Sequence, residues 1–200
     1  MNYIIKSAII GDYGVGKTSI ISRYASNKYN EGETPTLGVD FLHREVDYKE
    51  NRYKIQIWDT AGQEKFESIV KSYIRDLNVC ILVFDVNCKK SFLRVKKWFD
   101  DIDYMVENPI YISLVGSKID LGYREVTKEE IDAFCDERNL KYMECSAKSN
   151  ENIDDIFWNI IQEVDSMVLK NEIVLRTYGD FLIKTSTDKN SIKEKCCIIS

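Results

Sequence analysis

Long apolar runs are missing from this 200-residue chain. None approaches the roughly 18 residues that a membrane-spanning helix needs. The longest, Val79-Cys80-Ile81-Leu82-Val83-Phe84, reads as a buried strand. Positive charge is short as well: 28 Lys and Arg against 33 Asp and Glu leave a net charge of −5, with a pI near 5.1. That balance argues against a nucleic-acid binder. Histidine is down to one, His43, which has no partner set for a metal or catalytic centre and reads as a strand surface residue. Proline is down to two, in a chain rich in Ile, Asn, Lys and Tyr, a bias that points to an AT-rich source genome and carries no chemistry. Cys80, Cys88, Cys135 and Cys145 have no metal-ligand spacing and read as reduced thiols, mostly in the core. With only Lys6 as a nearby cation, the N-terminus does not read as a signal peptide. What remains is a chain of 44% hydrophobic residues, enough to bury the core of one domain.

Within it, Gly11-Asp12-Tyr13-Gly14-Val15-Gly16-Lys17-Thr18 fits G-x-x-x-x-G-K-[ST] at every position. The apolar run Tyr3–Ile10 ahead of it reads as a strand, and Ser19-Ile20-Ile21-Ser22-Arg23-Tyr24 behind it reads as the first turns of a helix. That strand–loop–helix context is what a phosphate-binding loop requires. The glycines let successive backbone N–H groups point at a polyphosphate, and the helix N-terminus adds its dipole. Lys17 would reach the β- and γ-phosphates, and the Thr18 hydroxyl would hold Mg²⁺.

Strand-like runs recur at 3–10, 39–48, 53–58, 79–86, 111–116 and 140–143, separated mostly by helical patterns over 91–105, 127–138 and 152–169. Such alternation predicts a mostly parallel sheet covered on both faces. The runs 39–48 and 53–58, joined by Lys49-Glu50-Asn51-Arg52, predict one antiparallel hairpin. Past residue 170 the periodicity fades. Residues 171–200 read as a flexible tail, although Ile173-Val174-Leu175 suits an extra turn on the last helix.

Further chemistry falls at the predicted strand ends, where open α/β sheets bind ligands. Trp58-Asp59-Thr60-Ala61-Gly62-Gln63-Glu64 follows the strand 53–58. Asp59 can hold Mg²⁺ through water, Gly62 can bring its N–H up to a γ-phosphate, and Gln63 can orient an attacking water. Thr36, in Thr34-Pro35-Thr36, can reach Mg²⁺ and the γ-phosphate. Ser117-Lys118-Ile119-Asp120 follows the strand 111–116, and Cys145-Ser146-Ala147-Lys148 follows 140–143. A carboxylate at Asp120 would accept from guanine N1–H and N2–H₂, a donor pair that adenine lacks.

This ordered set resembles the Ras superfamily of small GTPases over about residues 3–168, and the Rab family within it. Leu37-Gly38-Val39-Asp40-Phe41, Lys54–Trp58, Lys65-Phe66-Glu67-Ser68-Ile69 and Leu82–Val86 sit where Rab-characteristic segments sit, and Tyr73–Leu77 keeps part of the pattern. The resemblance implies an α/β P-loop NTPase fold with a six-stranded, mostly parallel sheet, one antiparallel strand and helices on both faces, in a G domain over residues 1–170. It implies slow hydrolysis of GTP to GDP and phosphate, with Mg²⁺ on Thr18 and Thr36 and Asp59 behind it. Gln63 and Lys17 are the catalytic residues, and Tyr29 stacks on the guanine edge. Lys118 packs along the base, and Ala147 offers its N–H to the base oxygen. Asp12, Tyr13, Gly14, Val15, Gly16, Ser19, Ser117, Ser146 and Lys148 complete the nucleotide site. Segments 29–41 and 60–75 become two switches, with Phe41, Trp58 and Tyr73 as an aromatic triad for effectors. The implied partners are guanine nucleotide, effectors, an exchange factor, an activating protein, a GDI-type escort chaperone and a prenyltransferase, around a monomer cycling between cytosol and the cytosolic face of intracellular membranes.

Two residues depart from the family pattern. Tyr13 stands where the Rab pattern has Ser, and its ring is expected over the γ-phosphate, where water and a trans-acting arginine enter. A rival reading follows: a scaffold that holds GTP and barely hydrolyses it. Ser117 stands where the family prefers Asn or Thr, and is expected to lose the amide that ties base loop to phosphate loop. The chain ends Lys195-Cys196-Cys197-Ile198-Ile199-Ser200. Cys197 opens a C-a-a-X box with a final Ser, which reads as farnesylation, while the paired cysteines resemble a Rab tail carrying two geranylgeranyl groups. Residues 171–200 hold five Lys and Arg against four Asp and Glu, a net of +1, so electrostatic attraction to anionic lipid is weak. One lipid chain anchors only marginally, so modification of both Cys196 and Cys197 is expected, as two prenyl groups or as farnesyl with palmitoyl on Cys196.

Overall fold

The structure is a computed structural model, and it describes residues 1–31, 39–60, 76–106 and 108–178. The elements run β1 (Asn2–Gly11), α1 (Lys17–Ser26), β2 (Val39–Tyr48), β3 (Asn51–Thr60), β4 (Val79–Asp85), α2 (Lys89–Met105), β5 (Tyr111–Ser117), α3 (Lys128–Arg138), β6 (Lys141–Glu144), α4 (Ile153–Leu169) and β7 (Arg176–Thr177). The sheet order is β2-β3-β1-β4-β5-β6. All neighbours on this path are parallel except β2 and β3, which pair antiparallel from Val39 with Thr60 to Tyr48 with Asn51. The expected α/β architecture and its single hairpin are present.

Alternation along β1 explains the two-sided core. Ile5 and Ile9 face α1 and α4, in a cluster with Ile20, Ile21, Phe157 and Ile160. Ala8 and Ile10 face α2 and α3, with Phe84, Phe92, Phe99 and Phe134. β4 is buried along its whole length, as a continuous apolar run in a covered parallel sheet must be. The hairpin is fastened to α4 by buried Asp165, which accepts from the Tyr53 hydroxyl and the Lys49 ammonium, each at 2.6 Å. Cys80, Cys135 and Cys145 are buried and Cys88 half-buried, all as free thiols, and His43 is exposed on β2. Among the described residues, no helix is long and apolar enough to cross a membrane.

The stretch after α4 differs from its reading as a tail. Asn171 turns left-handed at φ 60°, so Ile173-Val174-Leu175 does not prolong the helix. Ile173 and Leu175 are instead buried in the core, and β7 adds a seventh strand, antiparallel to β1 at Tyr3 and Ile4. The physical reason is a free edge. β4 joins β1 only from Ser7 onward, which leaves the start of β1 without a neighbour on that side. β7 fills the gap, and the Tyr178 N–H donates to the Asn2 carbonyl at 3.0 Å. Beyond the six-stranded path, then, the sheet gains a short second antiparallel strand.

Candidate functional site

The loops that follow β1, β5 and β6, together with the last residues of β3, converge on one end of the sheet. In the first, Gly14 and Gly16 hold φ of 73° and 91°, a backbone that lets the loop curl over the start of α1. Lys17 opens that helix with its side chain folded back under the loop, and its ammonium donates to the carbonyls of Gly11 at 3.1 Å and Asp12 at 2.9 Å. It is 6% exposed, and burial, opposed by nearby Asp59 and Asp12, brings its pKa down to about 8. The loop is thus built around one buried cation. Asp12 accepts from the Tyr13 N–H, and the Tyr13 ring stands 60% exposed at the loop's crest.

Thr18 and Asp59 come together from α1 and the end of β3: the threonine hydroxyl donates to the carboxylate at 2.6 Å. A hydroxyl and a carboxylate side by side are hard oxygen donors, and that set fits Mg²⁺. Thr36, Gly62, Gln63 and Tyr73 lie outside the described residues, as do Cys196 and Cys197. Phe41 and Trp58 are directly paired across the hairpin, with ring centroids 4.9 Å apart; Phe41 is exposed and Trp58 packs partly against the α2 side of the core.

Beside the phosphate loop is a cavity of about 280 Å³, lined by Val15, Gly16, Ser19, Tyr29, Ser117, Lys118, Asp120, Ala147 and Lys148 among others. It gathers the residues expected to read the base from four separate elements. Ser146 donates its hydroxyl to Asp120 at 2.6 Å, which fixes one carboxylate oxygen and aims the other. Lys118 sits at φ 61°, and its ammonium ion-pairs with Asp85 at 2.9 Å. The Ser117 hydroxyl lies 2.6 Å from the Val15 carbonyl and 2.9 Å from that of Phe84. Ser117 has no amide to offer, but the hydroxyl it keeps reaches the phosphate loop's own backbone.

A model of the Ras family matches residues 6–166. Rab-30 of Homo sapiens is 36% identical over 174 residues, covering 86% of each chain. This chain is a Rab-family small GTPase. Other Rab-type relatives are the GTP-binding protein ypt2 of Schizosaccharomyces pombe, 37% identical over 172 residues and 86% of each chain, and SEC4 of Saccharomyces cerevisiae, 34% identical over 197 residues, 97% of this chain and 91% of the relative. As a family member, the chain binds GTP and GDP and hydrolyses GTP.

Several residues around this GTPase site were not singled out in the sequence. Asp85, at the end of β4, accepts from the Asn87 backbone and side chain as well as from Lys118, and Asn87 in turn donates to the Lys118 carbonyl at 2.9 Å. The one available signal was an acid closing an otherwise apolar strand. Arg23, inside α1, donates to the Ala147 carbonyl at 2.9 Å, and Glu31 ion-pairs with Lys148 at 2.6 Å.

Proposed function

We propose that this GTPase is a membrane-trafficking switch that hydrolyses GTP slowly and recruits effectors while GTP is bound. The observation that carries the reading is the arrangement around Lys17: a buried ammonium under the phosphate loop, the Thr18–Asp59 pair on one side and the Asp120–Ser146 pair on the other. Asp120 reads the guanine N1–H and N2–H₂, Tyr29 and Lys118 flank the base, and the Ala147 N–H meets its oxygen. Ser117, Ser146 and Lys148 hold these groups in place. Asp12, Tyr13, Gly14, Val15, Gly16 and Ser19 supply backbone to the phosphates, and Gly62 approaches the γ-phosphate.

Thr18 and Thr36 would hold Mg²⁺, with Asp59 behind it. When bound, the ion neutralises charge on the β- and γ-phosphates. The chain's own contribution to catalysis is positional and electrostatic. Gln63 orients a water for in-line attack on the γ-phosphorus, while Lys17 and the loop N–H groups stabilise charge on the transferring phosphoryl oxygens. An intrinsic rate on the order of 10⁻⁴ s⁻¹ is expected, by analogy with unassisted Ras. Phe41, Trp58 and Tyr73 form the effector face. Lipids on Cys196 and Cys197 anchor the chain to the cytosolic face of an intracellular membrane, served by a prenyltransferase, a GDI-type escort, an exchange factor and an activating protein.

Single-turnover hydrolysis of preloaded GTP by the full chain tests the switch. Slow phosphate release that drops in Gln63→Leu is expected. Release that is unchanged by the substitution removes Gln63 from its role. A second reading, a scaffold that stays GTP-bound, is favoured by the exposed Tyr13 ring on the phosphate loop, and no release from either protein with GTP still bound would establish it.

A further inference from the structure

The residues at the mouth of the guanine cavity form a structure of their own. Glu31, from the loop after α1, and Lys148, from the loop after β6, both line the cavity and join in an ion pair of 2.6 Å. Arg23 lies beneath them and holds both sides. Its Nε donates to the Ala147 carbonyl, one terminal nitrogen reaches the Lys148 carbonyl at 3.4 Å, and the other donates to the Asn27 carbonyl at 2.9 Å. The guanidinium also stands 5.6 Å from the Tyr29 ring centre. Two walls of the pocket are therefore fastened to one helix, and among the described residues an exposed ion pair closes the gap between them.

We propose that the Glu31–Lys148 pair, seated on Arg23, is a latch that sets the rate at which guanine nucleotide leaves. Glu31 and Arg23 act as positioning residues. The reading rests on the cavity being the guanine site. A base held between Tyr29 and the Lys118 loop leaves when the loop carrying Tyr29 and Glu31 swings away from the loop carrying Lys148. The ion pair opposes that separation directly, whereas Arg23 keeps each wall in register without spanning the mouth. Because both partners are solvent-exposed, the latch is modest in strength and sensitive to salt.

Release of a fluorescent GDP analogue from the full chain, chased with excess GDP, tests the proposal. Glu31→Lys places two ammonium groups together and should speed release by roughly 2- to 5-fold at low salt, the range of a surface ion pair. Lys148→Glu alone should also speed it, and the double exchange Glu31→Lys/Lys148→Glu should release more slowly than Lys148→Glu alone. Raising salt should speed release from wild type and leave Glu31→Gln little changed. Unchanged release in Glu31→Lys, or a double exchange no slower than Lys148→Glu alone, overturns the latch while leaving guanine binding intact. Failure of the wild-type chain to retain the GDP analogue at all would instead overturn the guanine site, and the latch with it.

Discussion

The Ser117 hydroxyl lies 2.6 Å from the Val15 carbonyl, so the loop after β5 is tied to the phosphate loop by a single oxygen. The same hydroxyl is 2.9 Å from the Phe84 carbonyl, and with one proton it donates to one of them at a time. A side chain shorter than the family's preferred amide keeps the connection because the two loops approach closely.

Ser117→Ala should therefore weaken GDP binding. Loss of one buried hydrogen bond, with a carbonyl left unpaired, costs about 1–2 kcal/mol, or roughly 5- to 30-fold in affinity. Equilibrium competition against labelled GDP measures it. Affinity equal to wild type would show that Val15 is held by its neighbours alone.

The strap after α4 should contribute to stability and not to nucleotide affinity. Ile173 and Leu175 are 6% and 7% exposed within the core, while β7 pairs with the start of β1, at the opposite end of that strand from the phosphate loop. At about 3.3 Å per residue, the strap and the loop are roughly 20–25 Å apart. Removing buried aliphatic side chains typically costs about 2 kcal/mol or more each. A chain of residues 1–170 should therefore melt several degrees below one of residues 1–178, with an unchanged rate of GDP release. Equal melting temperatures would mean that the strap adds no net stability.

Most of the fold was legible in the sequence because its signals are local. A strand such as β4 needs only a continuous apolar run, and β2 and β3 needed only two strand-like runs joined by the short link Lys49–Arg52. The phosphate loop and Asp120 were legible because their chemistry demands particular residues at fixed spacing. The rest depended on partners distant in the chain. Ile173-Val174-Leu175 has no period that points to the core; its place was decided by the free edge of β1. Arg23 reads as an ordinary helix residue, and only the return of the chain after β6 places Ala147 beside it. Ser117 read as a lost amide because the closeness of Val15 is a property of the assembled sheet.

Lys17 makes both stability and binding depend on pH. Burial lowers its pKa to about 8 from the 10.5 of a free lysine. Below about 8 the folded and unfolded chains both carry the proton, and the fold bears the full cost of the buried charge. Between about 8 and 10.5 the unfolded chain keeps a proton that the folded one has released, so stability without nucleotide rises with pH across that window. Phosphate oxygens favour the ammonium, so nucleotide affinity should fall through the same range and binding should take up protons. Calorimetry in buffers of differing ionisation enthalpy, from about pH 7 to about pH 9, should show uptake that grows with pH. Equal uptake by Lys17→Met would assign the effect elsewhere.

Tyr13 decides between a cycling switch and a persistent GTP-bound scaffold. Its backbone N–H is already engaged by the Asp12 side chain, and its ring is 60% exposed at the crest of the phosphate loop. A large ring there does not hinder the cradle, which uses backbone. On the proposed site it would stand where an attacking water, or an arginine supplied by an activating protein, has to enter. Two quantities separate the readings: the intrinsic single-turnover rate and its acceleration by an activating protein. If the ring obstructs only the incoming arginine, Tyr13→Ser should leave the intrinsic rate unchanged and raise acceleration by roughly 10-fold or more, since such an arginine is worth about 10³–10⁵ in rate when fully admitted. If it obstructs water, the intrinsic rate itself should rise. GDP release should match wild type in both cases, because the substitution leaves the guanine cavity untouched. Rates unchanged by Tyr13→Ser in both assays would show that the ring swings clear, and the scaffold reading would lose its basis.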